Sequence, residues 1–263
     1  MVRQNLHCHT SFDDGANTPE EMVLAAIDAG LTSLGISAHI PIEGEIWCMP
    51  AENEAPFKVE MARLKAVYEG KIKLYCGMEY DLSVPASFEG YDYIIGSGHI
   101  VEGFYEDFDL EHHKLLIEHF GGPAGAAEAY FENLSRVAEF DEIGIVGHFD
   151  LLTKYNEQER LYDTSARYFR DAAYAAMEKL CAADKIFEIN TGAMSRGYRT
   201  SPYPSEELLR HLNQIGGRIC ISSDAHSASG ITLGFELSDA LARSCGFTEV
   251  WEFDGNGFVP VAF

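Results

Sequence analysis

Strand-like apolar runs alternate with helix-like runs along this chain, and nearly every strand-like run ends in a histidine, aspartate or glutamate. The first run ends at His7-Cys8-His9, and the last strong run ends at Asp224-Ala225-His226. Residues i and i+2 of an extended strand point to the same side, so each pair directs two ligand-type side chains into one space. Single ligand-type residues end four runs in between: His39, Glu79, His99 and His148. Their convergence predicts a site for a cluster of divalent metal ions.

The alternation predicts seven β/α units. After the first strand, strand-like runs cover residues 31–37, 72–76, 91–95, 143–146, 186–190 and 218–222. The helix-like runs cover residues 18–29, 57–68, 124–140, 165–183 and 205–212, and residues 102–113 are predicted to form a charged loop. Continuous apolar strands separated by helices indicate a parallel sheet. Ligands at nearly all strand ends favour closure into a TIM-like barrel, because an open doubly wound sheet would concentrate them at one switch point.

A structural role is the ordinary explanation for a single buried histidine or glutamate. The shared position of these residues favours a site instead, because barrel enzymes place catalytic groups where strands leave the barrel. Four other histidines fall in polar loop or helix contexts and are interpreted as structural: His112, His113, His119 and His211.

The length and charge of the chain limit its organisation and its partners. The 263 residues suit one large α/β domain. A formal net charge of −23, from 42 acidic and 19 basic residues, opposes binding to nucleic acid or to anionic membranes. A small anionic substrate remains compatible with this charge, since bound cations can reverse its sign locally.

Three further features favour a cytoplasmic location. The six cysteines form no Cys-x-x-Cys pair and no dense framework, which is typical of reduced thiols. The first strand begins so early that no signal peptide is expected. No apolar run is long enough to predict a membrane span.

Six short motifs follow one another in order along the chain. They are His7-Cys8-His9-Thr10 with Asp14-Gly15, Ser37-Ala38-His39, Gly77-Met78-Glu79, Ile95-Gly96-Ser97-Gly98-His99, Gly147-His148-Phe149-Asp150 and Ser223-Asp224-Ala225-His226. Together they resemble the motifs of the polymerase-and-histidinol-phosphatase (PHP) superfamily. The resemblance covers essentially the whole chain as one domain, residues 1–263. It implies a distorted seven-stranded (β/α)7 barrel that holds three divalent metal ions.

The resemblance also implies nine metal ligands. His7, His9, Glu79 and Asp224 would hold one ion, and Glu79 would bridge to a second ion held by His99 and His148. Asp14, His39 and His226 would hold the third ion. Some family members have a histidine at the position of Asp14, and a carboxylate there shifts the preference towards harder ions. Zinc, manganese and iron therefore all stay open.

Within the superfamily, residues 93–97, 147–151, 188–192 and 202–205 are most similar to the monofunctional histidinol-phosphate phosphatases. This similarity implies hydrolysis of L-histidinol phosphate to L-histidinol and phosphate, a step of histidine biosynthesis. That subfamily binds the substrate phosphate with two loop arginines, which implies Arg160 and Arg196, with Arg199 as the competitor of Arg196. A hydroxide shared by two metals would attack phosphorus, and Asp224 or His226 would assist the departing alkoxide.

Two alternatives to this activity stay open. The first is a PHP-type phosphoesterase that acts on another small phosphate ester or on nucleic acid ends, although the sequence has no basic stripe or aromatic stacking run. The second is a metal-binding regulatory protein without turnover. Gly98 and residues 41–56, which include Trp47, depart from the subfamily near the predicted barrel mouth. They bear on substrate identity more than on the reaction class.

Overall fold

The computed structural model describes residues 3–85 and 87–263. Seven of its strands form one parallel sheet in the order β1-β2-β3-β4-β7-β8-β9, and the other four form two hairpins. The strands are β1 (Gln4–Asn5), β2 (Ser33–His39), β3 (Lys73–Asp81), β4 (Tyr93–Ser97), β5 (Ile100–Val101), β6 (Phe104–Tyr105), β7 (Ile143–Val146), β8 (Ile186–Asn190), β9 (Arg218–Ser222), β10 (Glu249–Phe253) and β11 (Phe258–Ala262).

The sheet closes into a barrel between its first and last strands. A parallel bridge joins Cys8, just after β1, to Ala225, just after β9, and His9 N donates to Ala225 O at 2.9 Å. Cys8 is turned away from the barrel interior, since its Sγ donates to the carbonyl of Gly35 at 3.2 Å. The predicted TIM-like barrel is confirmed.

Helices surround the barrel, and all except the four-residue α5 have buried residues. They are α1 (Pro19–Asp28), α2 (Glu54–Val67), α3 (Leu110–His119), α4 (Pro123–Ser135), α5 (Asn156–Glu159), α6 (Arg167–Ala182), α7 (Gly192–Ser195), α8 (Glu206–Gln214) and α9 (Phe235–Ser244). The start of α1 shows how local sequence sets these bounds. Thr18 caps the helix, Pro19 occupies its first position, and Glu21 completes a capping box with Thr18.

The barrel interior is apolar at the amino ends of its strands and polar at their carboxyl ends. Tyr75 and Ile186 belong to a buried apolar cluster that Phe253, from the β10–β11 hairpin, also joins. Residues an even number of positions apart on a strand share a side, so Glu79 and Glu188 point into the same interior further along β3 and β8. The polar end therefore rests on an apolar base.

Two sequence predictions about local structure were wrong. Residues 102–113 are not simply a loop: they contain β6 and the start of α3, which Asp109 caps by accepting from His112 N at 2.8 Å. The dense charge of this segment obscured the two-residue strand and the beginning of the helix. The predicted helix 124–140 ends as an α-helix at Ser135 and continues as a 3₁₀ turn, Arg136–Glu139. Within the described ranges, every helix is too short or too polar to cross a bilayer.

Candidate metal centre

The nine predicted ligand residues converge at the carboxyl ends of the barrel strands, and we call this group the candidate metal centre. Six of the seven barrel strands contribute members at or just after their carboxyl ends, and β8 contributes none. The pairing of β2 with β3 illustrates the arrangement. There, His39 lies directly opposite Glu79 in the strand register. The members are His7, His9, Asp14, His39, Glu79, His99, His148, Asp224 and His226.

One oxygen of Glu79 faces the pair of histidines that follows β1. Glu79 Oε2 lies 3.1 Å from His7 Nε2 and 3.4 Å from His9 Nε2. Asp224 Oδ1 lies 3.6 and 3.3 Å from the same two nitrogens. All four side chains are buried, yet His7 Nε2, His9 Nε2 and Glu79 Oε2 lack hydrogen-bond partners in the described part of the chain. Buried polar atoms are normally paired, so a cation between these lone pairs fits the arrangement.

The other oxygen of Glu79 faces a second pair of histidines. Glu79 Oε1 lies 2.9 Å from His148 Nε2 and 3.4 Å from His99 Nε2. Ser97, at the end of β4, donates its hydroxyl to the same oxygen at 2.7 Å. Glu79 Oε2 also lies 3.0 Å from His39 Nδ1. One oxygen of Glu79 therefore faces three histidines and the other faces two, as a carboxylate that bridges two cations would.

Asp14 gathers a third group at the more open side of the centre. Its carboxylate lies 3.2 Å from His226 Nε2 and 3.9 Å from His39 Nε2. Together with His9, these residues offer ligand atoms that all lie within 4.8 Å of one another. A tight turn positions Asp14, since a side chain on Gly15 would collide with the backbone of His9 and Thr10.

Buried carboxylates outside this group hold its histidines in place. Glu188 Oε2 accepts from His7 Nδ1 at 2.7 Å, and Asp13 Oδ2 accepts from His9 Nδ1 at 2.7 Å. Asp81 accepts from the backbone N–H of His99 at 2.7 Å. The bonds to His7 and His9 place the proton on Nδ1 and leave Nε2 free to bind a metal.

The electrostatics of the centre keep its carboxylates ionised. Burial opposes the charge on Glu79, yet the surrounding histidines hold the pKa of this carboxyl well below its usual range. Burial is likewise outweighed at Asp224, where His7 and Arg196 hold the pKa well below the usual value. Burial lowers the pKa of His39 to about 4, which favours the neutral imidazole. At His7, His9 and His99 adjacent carboxylates outweigh burial and raise the pKa, at His99 to about 9, so these imidazoles must release a proton when a metal binds. Ionised carboxylates and neutral imidazoles are the forms that bind metals.

The position of Asp224 depends on an uncommon backbone conformation. Its φ of 47° lies in the left-handed region, which residues other than glycine seldom adopt. Its carboxylate also lies against Gly192, where an added Cβ would collide with Oδ2. Such conformations persist where the surrounding structure fixes them, often at functional sites.

A cavity of about 180 Å³ opens beside the candidate metal centre, and two cationic side chains, Lys154 and Arg196, line it. Arg196 lies 3.3 Å from Asp224 Oδ2 and 3.2 Å from the ring nitrogens of His226. Lys154 Nζ lies 3.1 Å from the carboxylate of Asp107. Both cations can contact an anion that is bound next to the metal ligands.

The other two arginines considered from the sequence lie elsewhere. Arg160 is exposed and follows α5 in a left-handed conformation, and it does not line this cavity. Arg199 is buried, donates to Thr153 and lies 4.3 Å from the ring centre of Tyr203. Of the alternatives Arg196 and Arg199, Arg196 is therefore the one beside the candidate metal centre.

Sequence reasoning missed Lys154, Glu188, Asp81 and Asp13. Asp81 carries a sequence signal, because it lies two positions after Glu79 on β3 and faces the same side. Glu188 carries a weaker signal, as the one acidic residue of the strand β8. Asp13 lies in the turn after His9, and its bond to the His9 ring is a contact that the strand pattern does not predict. For Lys154 the sequence gives no comparable signal, since the lysine lies in a loop several residues after His148.

Comparisons with known proteins extend over most of the chain. The profile of the PHP domain matches residues 5–192. The probable histidinol-phosphatase of Schizosaccharomyces pombe is 27% identical over 91% of this chain and 86% of its own length. The probable histidinol-phosphatase of Deinococcus radiodurans is 26% identical over 89% and 90%. The crystal structure of histidinol phosphate phosphatase from Lactococcus lactis, complexed with zinc, L-histidinol and phosphate, shares the fold with a TM-score of 0.76. That structure is 21% identical and covers 98% of each chain.

Proposed function

This chain belongs to the PHP domain family, and on that premise we propose that it is a metal-dependent phosphomonoesterase that hydrolyses L-histidinol phosphate. The observation that carries the proposal is the environment of Glu79. This buried carboxylate presents one oxygen to His7, His9 and His39 and the other to His99 and His148. Arg196 and Lys154 line the cavity next to it. Metal ligands beside two cations suit a phosphate ester. The two relatives named histidinol-phosphatase and the Lactococcus lactis protein support the choice of substrate.

The nine residues of the candidate metal centre fit three divalent ions. Three sets support this number: His7, His9 and Asp224 around Oε2 of Glu79, His99 and His148 around its Oε1, and Asp14, His39 and His226. Zinc, manganese or iron would suit this mixture of imidazole and carboxylate ligands. When bound, such ions act as Lewis acids on phosphoryl oxygens and lower the pKa of water.

The protein's own side chains would position the ester and stabilise its charge. Arg196 can bind phosphoryl oxygens through two N–H groups, and Lys154, which lines the same cavity, adds a point charge. Charge that develops on these oxygens during hydrolysis is stabilised by both cations. Asp224 and His226 adjoin Arg196, so they are the residues that we propose to assist the departing alkoxide.

Arg160 stays a predicted phosphate ligand from the family resemblance alone. Its side chain is exposed, whereas Lys154 occupies the cavity. We therefore assign Lys154 as the second cation of the phosphate site and keep Arg160 for a separate test.

A panel of phosphate esters tests the proposed function. Phosphate release from L-histidinol phosphate is compared with release from glucose 6-phosphate, phosphoserine and single-stranded DNA, using protein loaded with zinc, manganese or iron. We expect histidinol phosphate to be hydrolysed with the highest kcat/KM, and the chelated protein to be inactive. Faster hydrolysis of another ester would keep the reaction class and reject the substrate. No turnover of any ester would favour a metal-binding protein without catalysis.

A further inference from the structure

We propose that Trp47 and Tyr105, which we call the aromatic wall, bind the positively charged organic part of the substrate, and that Glu45 holds them in position. The inference deepens the proposed function and rests on it, because it assumes a phosphate ester whose alcohol part carries an amine. Trp47 and Tyr105 both line the cavity beside the candidate metal centre.

Glu45 joins the two aromatic side chains through one hydrogen bond to each. Its Oε2 accepts from Trp47 Nε1 at 2.9 Å, and its Oε1 accepts from Tyr105 Oη at 2.5 Å. Trp47 and Glu45 lie in the loop between β2 and α2, whereas Tyr105 belongs to β6. Glu45 therefore connects two segments from different β/α units and fixes how their rings face the cavity.

The aromatic wall lies directly beside two of the candidate metal ligands, His39 and His99. The ring of Trp47 stands edge-on to His39, with centroids 4.8 Å apart and an interplanar angle of 89°. It also lies 5.3 Å from the ring of His99. Arg196, by contrast, contacts His226 and Asp224. A phosphate bound by Arg196 and the metals would leave its organic part free to reach the aromatic wall.

The charges around the cavity favour a cation at this position. Asp107 is paired with Lys154, and Asp224 is paired with Arg196. Glu45 differs, because its two hydrogen-bond donors are neutral and the described part of the chain places no lysine, arginine or histidine nitrogen within 4.0 Å of it. The faces of aromatic rings attract cations, and an uncompensated carboxylate behind the rings adds to this attraction. A protonated amine therefore fits the wall better than a neutral or anionic group does.

A matched pair of esters tests the aromatic wall. At pH 8, histidinol phosphate carries a charged amine, whereas its deamino analogue, 3-(imidazol-4-yl)propyl phosphate, has a nearly neutral organic part. Trp47→Leu keeps apolar bulk and removes the aromatic face. We expect kcat/KM for histidinol phosphate to fall about tenfold, the scale of a partly desolvated cation–π contact. For the deamino analogue, Trp47→Leu should lower kcat/KM by less than about threefold, because this ester has no amine to form a cation–π contact.

The chain offers a matched control and two milder variants. Trp251, the second tryptophan, lies on β10 beside Arg218 and does not line the cavity, so Trp251→Leu should leave both kcat/KM values unchanged. Tyr105→Phe and Glu45→Gln each weaken the link between the rings while keeping the size of the side chain. Both variants, like Trp47→Leu, should lower the ratio of kcat/KM for histidinol phosphate to kcat/KM for the deamino analogue. Metal content and circular dichroism verify that each variant is folded and loaded.

Fluorescence gives a readout that does not depend on hydrolysis. In a Trp251→Phe background, Trp47 is the only tryptophan of the chain. Titration of the metal-loaded protein with L-histidinol should change its emission saturably, and the deamino alcohol should bind more weakly. This measurement also decides the outcome if Trp47→Leu fails to fold.

The results separate this inference from the proposed function. If the wild type hydrolyses histidinol phosphate but the variants lose equally on both esters, the function stands and the aromatic wall does not select a cation. If L-histidinol does not change the emission of Trp47, the claim that the aromatic wall binds the organic part of the substrate is likewise wrong. If the wild type releases no phosphate from histidinol phosphate, the proposed function fails, whatever the binding of L-histidinol to Trp47.

Discussion

Glu188 Oε2 accepts a 2.7 Å hydrogen bond from Nδ1 of His7, and neither side chain is exposed. The same carboxylate group accepts from Ser222 Oγ at 2.5 Å, from Asn190 Nδ2 at 2.6 Å and from the backbone N–H of His148 at 3.0 Å. Glu188 thus contacts the ring of His7 and the backbone of His148. These two candidate ligands face different oxygens of Glu79. We infer that Glu188 sets the orientation of His7 and supports the segment that carries His148.

Glu188→Gln should weaken metal binding without unfolding the protein. Glutamine has one acceptor oxygen where the carboxylate has two, and its NH₂ group would meet donors instead of acceptors. Outer carboxylates of this kind typically contribute about 10- to 100-fold to metal affinity. Competition with a fluorescent chelator measures the affinity, and Glu178→Gln, an exposed glutamate on α6, is the control. If Glu188→Gln binds metal as tightly as the wild type, Glu188 does not support the metal ligands.

Glu79→Gln should remove metal and nearly all activity. The substitution keeps the size of the side chain but removes the charge that two cations would share. We expect loss of at least one metal ion per chain by elemental analysis, with the circular dichroism spectrum retained. Glu69→Gln, on the exposed surface, is the matched control. Full metal content with near-normal turnover would refute the bridging role of Glu79.

Arg196→Ala should impair catalysis and spare the metals. Loss of one preorganised donor to developing charge typically costs about 10²- to 10³-fold in rate. Arg196→Lys should recover part of that loss, because a point charge cannot reproduce the two-pronged contact. Steady-state kinetics and metal analysis give the two readouts, with the exposed Arg167→Ala as control. A silent Arg196→Ala would exclude this residue from phosphate binding.

Arg160→Ala and Lys154→Ala decide which residue supplies the second cation. Lys154 lines the cavity and Arg160 does not, so we expect the lysine variant to lose more kcat/KM for histidinol phosphate. An equally large loss in Arg160→Ala would mean that the substrate draws this arginine into the cavity, as the family resemblance predicts.

Glu106→Gln should stabilise the protein, and more so as the pH rises. Glu106 is fully buried, both its oxygens lack a hydrogen-bond partner among the described residues, and burial together with Asp107 raises its pKa well above the usual value. A carboxyl whose folded pKa is raised favours the folded state below its unfolded pKa and loses that contribution as the pH rises.

Chemical unfolding of Glu106→Gln and wild type at pH 8 and at pH 4 measures this effect. At pH 8 we expect a gain of more than about 1 kcal/mol, because neutral glutamine removes the cost of keeping a buried acid whose pKa is raised, and one pKa unit corresponds to about 1.4 kcal/mol. At pH 4, where the carboxyl is protonated in the folded state and mostly protonated in the unfolded state, the gain should largely disappear. The exposed Glu118→Gln should show neither effect. A gain in the free energy of unfolding that is the same at both pH values would contradict a raised pKa for Glu106.

The barrel and the positions of its ligand-type residues could be predicted because both follow from local pattern. His39 and Glu79 each end an apolar run, and parallel strands bring such ends to one edge. The motifs supplied Asp14, which the strand pattern alone does not reveal. The PHP family, inferred from these motifs, is confirmed.

The residues that escaped prediction depend on tertiary contacts. Lys154 reaches the cavity from a loop, and its position is set by hydrogen bonds to Asp107, a residue 47 positions earlier in the chain. The link from Glu45 to Tyr105 spans 60 positions. Neither separation has a periodicity that a sequence pattern could show. Loop residues of this kind become visible only once the barrel brings their segments together.

The central claim is that metal ions held at the candidate metal centre make this chain a histidinol-phosphate phosphatase. The most direct measurement is phosphate release from L-histidinol phosphate by chelated protein, as zinc, manganese or iron is added back in steps and bound metal is counted. We predict no release at zero metal, a rise with bound metal, and a plateau when three ions are bound per chain. Equal phosphate release with and without bound metal, or none at full occupancy, would contradict the claim.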